Sequence, residues 1–129
     1  MHKDYRDRGL EILAFPCNQF NNGEPGTNQE IEDQMRNKIG AEFPIFEKID
    51  VNGKNPNEVF KYLRCNSTLW DAQKKKAKEI PWNFAKFLCD SDGKVLKYYN
   101  PRVNPLNLVS DIESLLADNR LEGSVGQSQ

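Results

Sequence analysis

Gly9-Leu10-Glu11-Ile12-Leu13-Ala14-Phe15-Pro16, running directly into Cys17-Asn18-Gln19-Phe20, is a short apolar run between a charged N-terminal stub and a loop. Its length and its Pro terminus predict a buried strand rather than a helix. The residues after it, Asn21-Asn22-Gly23-Glu24-Pro25-Gly26, favour turns, because Gly reaches positive φ and Pro fixes its own. Gln19 is thereby placed just past the C-terminal end of the strand.

Working outward, Thr27 with Glu30 three residues on makes a capping box, and Ile31, Met35 and Ile39 form a stripe at intervals of four. The pattern predicts a helix over 28–39, stopped by Gly40, and then an extended segment from Phe43 that turns at Asn52-Gly53. Asn55 as cap, Pro56 at the first helical position and Glu58 near the N-terminus predict a second helix, with Val59, Phe60 and Leu63 on its core face. Residues 66–79 are polar, and Lys74, Lys75, Lys76 and Lys78 read as a solvated face. Phe84–Cys89 and Val95–Tyr99 flank Ser91-Asp92-Gly93 and predict a hairpin. Asn104 and Pro105 open a last helix whose Leu108, Val109, Ile112, Leu115 and Leu116 form one apolar stripe. Strands alternating with helices and closing on a hairpin and helix define an α/β chain.

Composition bounds what this chain does. The 129 residues, 37% of them hydrophobic, fit one domain over 1–120 followed by a flexible tail over 121–129. A formal net charge of −1 gives no basic field for nucleic acid. No apolar run approaches the ~20 residues of a membrane span. Met1–Arg8 is charged and lacks the apolar core of a signal peptide, so a cytoplasmic address is expected, with a mitochondrial one open should a further segment precede it. Cys17, Cys65 and Cys89 form no C-x-x-C pair, which excludes a zinc cage, and an odd set of thiols fits a reducing compartment. The single histidine, His2, lies in the terminal stub, so a histidine-based triad has no base.

Trp82 and Asn83 precede the first strand of the hairpin, as Gln19 follows the first strand of the chain. If those strands run antiparallel, the three side chains share one end of the sheet, where open α/β folds bind ligands. Two amides and an indole N–H are neutral donors, suited to stabilising a thiolate and the charge that builds as a peroxide O–O bond breaks. The competing reading makes Trp82 a core aromatic, Asn83 a turn residue and Gln19 a loop cap.

Ile12-Leu13-Ala14-Phe15-Pro16-Cys17-Asn18-Gln19-Phe20 resembles a signature of the glutathione peroxidases. Glu24-Pro25-Gly26, the run Glu42–Gly53, and Trp82-Asn83-Phe84-Ala85-Lys86-Phe87-Leu88 resemble that family in the same order, so the likeness covers about residues 5–117. It implies a thioredoxin-like fold, N-terminally truncated, with a C-terminal β-hairpin and helix. It also implies a thiol peroxidase that reduces hydrogen peroxide or organic hydroperoxides in oxidative stress defence, without a cofactor, using a thiol donor. Carried over by motif, Gln19, Trp82 and Asn83 are the supporting shell, while the Cys or Sec nucleophile belongs to a segment before the first helix, within which this sequence starts. Cys17 matches the motif cysteine, yet a packed thiol at the end of a buried strand has a raised pKa. Arg36 stands where thioredoxin-dependent members carry a resolving cysteine, which leaves glutathione as the default donor. The missing segment includes a strand lying between those of Leu10–Phe15 and Phe84–Cys89. Two unpaired strand edges are therefore expected, with an unstable or aggregating chain, or else a partner on the exposed edge and a non-catalytic role as an interaction or assembly subunit.

Overall fold

A computed structural model describes residues 2–117 with their side chains, and residues 124–128 as backbone. A first helical turn, α1 (His2–Tyr5), passes through a 3-10 turn into β1 (Glu11–Phe15). After the turn-rich loop comes α2 (Asn28–Gln34), whose Thr27 cap accepts from the Glu30 N–H at 3.2 Å. Its continuation over Met35–Ile39 widens into a π turn closed by Gly40 at φ 74°. The widening explains a departure from the predicted stripe. Ile31 and Met35 are buried, but one extra residue in the turn rotates Ile39 outward, to 65% exposure.

The second long helix, α3 (Glu58–Cys65), starts later than predicted. Asn57, not Asn55, is its cap, accepting from the Val59 N–H at 2.9 Å, and Pro56 lies outside it. That frame turns Val59 outward and buries Phe60, Leu63 and Arg64. Arg64 is no liability there, because its guanidinium donates to the carbonyls of Val51, Ala77 and Lys78. It thereby anchors a small hairpin, β2 (Trp70–Asp71) with β3 (Lys76–Ala77), inside the stretch that reads as a polar connection.

β4 (Lys86–Cys89) and β5 (Val95–Tyr99) form the predicted hairpin, turned by Gly93 at φ 86°. Asn104 caps a 3-10 turn over Pro105–Leu108 that leads into α4 (Val109–Ala117). The Tyr99 hydroxyl donates to Asp111, tying β5 to α4. The last element is β6 (Ser124–Ser128).

Strand order is β1-β6-β4-β5, with β6 parallel to β1 and antiparallel to β4. Two consequences follow. First, β1 and β4 run antiparallel, so the residues after β1 and those before β4 meet at one end of the sheet. Second, the edges expected to be unpaired are paired, because β6 occupies the central slot. Of the tail expected to be flexible, 121–123 and 129 lie outside the described residues, and Ser124–Ser128 is the inner strand of the sheet.

Strand alternation divides the core between the two faces. Phe15, Val51, Phe60, Leu63, Ile80 and Phe87 pack on the α3 side. Leu10, Ile12, Leu88, Leu108, Ile112, Leu115 and Leu116 pack on the α4 side. Beside β1, the extended segment at Ile45 bridges Ala14 in parallel and covers the outer edge of that strand.

Candidate active site

The end of the sheet where β1 leaves and β4 enters brings the two predicted segments together. Phe20 and Trp82 meet with ring centroids 5.8 Å apart. Gly23 lies against Asn83, whose Nδ2 would be 3.3 Å from a Cβ placed there. Sequence distance is thus bridged, but the two segments present their polar groups differently.

Gln19 turns its amide toward the Asn52 turn. Its Oε1 accepts from the backbone N–H groups of Val51 at 2.7 Å and Asn52 at 3.0 Å, and its Nε2 donates to the Asn52 carbonyl at 2.9 Å. Two N–H groups facing one atom and a carbonyl facing the other fix which end is oxygen. Gln19 is a loop clamp, as the competing reading has it, though its second Nε2 proton is left over for another acceptor. Gly53, at φ 92°, takes the left-handed turn that keeps Asn52 facing Gln19.

Trp82 and Asn83 stand on a strained turn. Trp82 is 51% exposed, so it is no core aromatic. The Asn83 Oδ1 is buried without a hydrogen-bond partner. Phe84 follows at φ 67°, a left-handed backbone on a bulky residue that costs of order 1–3 kcal/mol. Lys86 holds this turn in place: 1% exposed, it donates Nζ to the carbonyls of Phe84 at 2.6 Å and Val103 at 2.8 Å. Burial pushes its ammonium pKa down. Pro81, Trp82, Asn83 and Phe84 form one wall of a cleft of about 660 Å³, and Asn100, Pro101 and Arg102 form the other. Lys86 ties Phe84 of the first wall to Val103, the residue after Arg102 of the second.

None of the cysteines lines that cleft. Cys17 is fully buried, its thiol donates to the Gln19 Oε1 at 3.4 Å, and burial pushes its pKa up, with backbone hydrogen bonds opposing. Burial raises Cys89 as well, and Cys65 is exposed at the end of α3. Arg36 spends its guanidinium on the carbonyls of Ala41 and Phe43, where it closes the turn after α2.

Asn52 is the residue that sequence reasoning missed. Read as half of a turn dipeptide, it is buried and bonded to Gln19 and to Ile80, two residues before Trp82. An Asn-Gly pair is a sufficient turn signal by itself, so nothing local distinguishes a buried asparagine from an exposed one.

A mixed sheet with helices on both faces and a polar site at one strand end is a thioredoxin-like fold. It matches a solved structure described as the crystal structure of Trgpx in apo form, with a TM-score of 0.62 and 28% identity, over 90% of this chain and 62% of that one. A family model for glutathione peroxidase matches residues 1–64. "Probable glutathione peroxidase 2" of Arabidopsis thaliana is 49% identical over 118 residues, 90% of this chain and 66% of the relative. "Probable phospholipid hydroperoxide glutathione peroxidase" of Mesembryanthemum crystallinum is 47% identical, over 90% of this chain and 65% of the relative. The chain belongs to the glutathione peroxidase family. It spans just under two thirds of the length of these curated relatives. Among the described residues no helix is long and apolar enough to cross a membrane.

Proposed function

We propose that Gln19, Trp82 and Asn83 form the supporting shell of a thiol peroxidase site that reduces hydrogen peroxide or organic hydroperoxides with glutathione. The carrying observation is the Asn83 amide, which keeps a buried, unpartnered oxygen beside an exposed indole on a strained turn. Leaving such an atom unpaired costs about 1–3 kcal/mol, which a fold does not spend on packing. With that oxygen turned inward, what the amide and the exposed indole offer a hydroperoxide is their N–H groups, which donate to the oxygen that becomes negative.

In the reaction a thiolate or selenolate attacks one peroxide oxygen, the O–O bond breaks, and the other oxygen leaves as alkoxide and takes up a proton. The resulting sulfenic or selenenic acid is returned by two thiols, which leave as a disulfide while its oxygen leaves as water. The nucleophile is none of Cys17, Cys65 and Cys89, since the first and third are buried with raised pKa values and none lines the cleft. With Arg36 where a resolving thiol would stand, an external thiol closes the cycle. A cytoplasmic address accords with such a donor. Assembly through an open sheet edge loses its motive, because β6 fills that slot.

Peroxide turnover with glutathione tests this reading. The 129-residue chain is expected to show essentially none. Joining it to an N-terminal segment that carries a Cys or Sec, with a strand that takes the central slot in place of β6, is expected to confer turnover, which Trp82→Phe cuts by about 10²-fold. Turnover by the 129-residue chain that disappears in Cys17→Ser would refute it.

A further inference from the structure

We infer that Asn52 is the positioning residue that makes the two halves of the site one unit, linking the Gln19 clamp to the Trp82-Asn83 turn by a relay of paired amides. The assignment rests on the peroxidase reading for its purpose, and on geometry alone for its existence.

The relay has two steps, each a two-point exchange of the kind that joins neighbouring strands. Gln19 uses its side-chain amide as a strand would use its backbone, giving Nε2–H to the Asn52 carbonyl at 2.9 Å and taking the Asn52 N–H at 3.0 Å. Asn52 repeats the device with its own side chain. Its Nδ2 donates to the Ile80 carbonyl at 2.8 Å, and its Oδ1 accepts from the Ile80 N–H at 2.9 Å. Both bonds to Ile80 are buried, and amides paired in a low-dielectric interior are costly to part. From Ile80 the chain enters Pro81, whose ring fixes φ, and then reaches Trp82 and Asn83. A displacement of Gln19 is therefore handed on with little slack.

Residue type matters at this position. Only an amide offers one donor and one acceptor side by side, so a carboxylate or an alkyl group breaks the second exchange. Arg64 holds the Val51 carbonyl together with those of Ala77 and Lys78, so it ties the turn to the segment that leads into Ile80. A rival route exists in the direct Phe20–Trp82 contact, which bypasses Asn52.

Quenching of Trp82 fluorescence by acrylamide separates these routes, in a Trp70→Phe background that leaves Trp82 as the sole tryptophan. Gln19→Ala and Asn52→Ala are each expected to raise the quenching constant about twofold, and the double variant no further than either single one, as residues of one chain of contacts behave. Circular dichroism and a cooperative denaturation curve establish that each variant is folded. Additive increases overturn the inference in favour of the Phe20 route, and so does a Gln19→Ala variant that leaves Trp82 unchanged. Asn52→Asp keeps the acceptor for the Ile80 N–H and loses the donor. It replaces Asn52→Ala if that variant fails to fold, and unaltered quenching there overturns the inference too. The readout needs neither peroxide nor thiol. Coupling without turnover in the Cys- or Sec-extended chain would therefore sink the peroxidase reading alone, and turnover without coupling would sink this one.

Discussion

Gln19 and Asn83 are both amide side chains at the same end of the sheet, yet one is saturated and the other is deprived. Gln19 spends its oxygen on two backbone N–H groups and one of its protons on a carbonyl, whereas the Asn83 oxygen is buried with nothing to accept. On the Gln19 side the left-handed positions are Asn21, Asn22 and Gly53, residue types that tolerate such a backbone. Around Asn83 the left-handed position is Phe84. The contrast separates two ways of belonging to a site. Gln19 holds the architecture and has one proton to spare, while Asn83 is held by the architecture, through Lys86 and Ile80, with its oxygen left unpaired.

The sharpest test is stability. Gln19→Ala strands two N–H groups and a carbonyl, and is expected to cost about 2–3 kcal/mol in urea unfolding. A loss below ~0.5 kcal/mol would erase its side of the contrast.

Lys86→Met gives the next effect, through pH. Burial lowers the folded-state pKa of Lys86 below its usual 10.5. Between the folded and unfolded values the unfolded chain binds the proton and the folded one does not, so stability rises with pH in that window, by at most about 1.4 kcal/mol per unit. The penalty is fully present below the folded pKa and gone above 10.5. The wild type is therefore expected to gain on Lys86→Met in melts recorded from neutral pH up to pH 10, and a constant gap would show that the turn is not held by a buried charge.

Asn83→Ala is expected to move stability least and in the opposite direction, a gain of about 1 kcal/mol, because it removes a buried oxygen that has no partner. Chemical denaturation comparing it with Gln19→Ala decides whether the two amides truly differ. Equal losses would make both of them architecture.

Much of this was legible beforehand because it is written locally. β1 announces itself by a short apolar run, the β4–β5 hairpin by Ser91-Asp92-Gly93, and α4 by its stripe with Asn104 and Pro105 at its head. Errors arose where two local signals competed or a distant one decided. Asn55 and Asn57 both suit a cap, and burial of Phe60, Leu63 and Arg64 chose the later frame. Ile39 keeps the helical spacing, but the π turn takes it off the stripe. Ser124–Ser128 has one apolar residue and a glycine, so its place in the sheet comes from backbone pairing with β1 and β4 rather than from its own propensity. The juxtaposition of Gln19 with Trp82-Asn83 follows from antiparallel β1 and β4. The orientation of the Gln19 amide depends on a loop more than thirty residues away, and was not readable.

The pairing of β1 with β6 joins residue 11 to residue 124. Helices and the β4–β5 hairpin need only neighbours in sequence, and such elements form in microseconds. The inner ladder of the sheet must wait for nearly the whole chain to be gathered, and contacts of such wide separation slow folding. On the ribosome β1 emerges early and stays without this partner until residues 124–128 have been made, so the order of synthesis opposes the order of the sheet. A refolding trace should show helical signal first and protection of the β1 amides last.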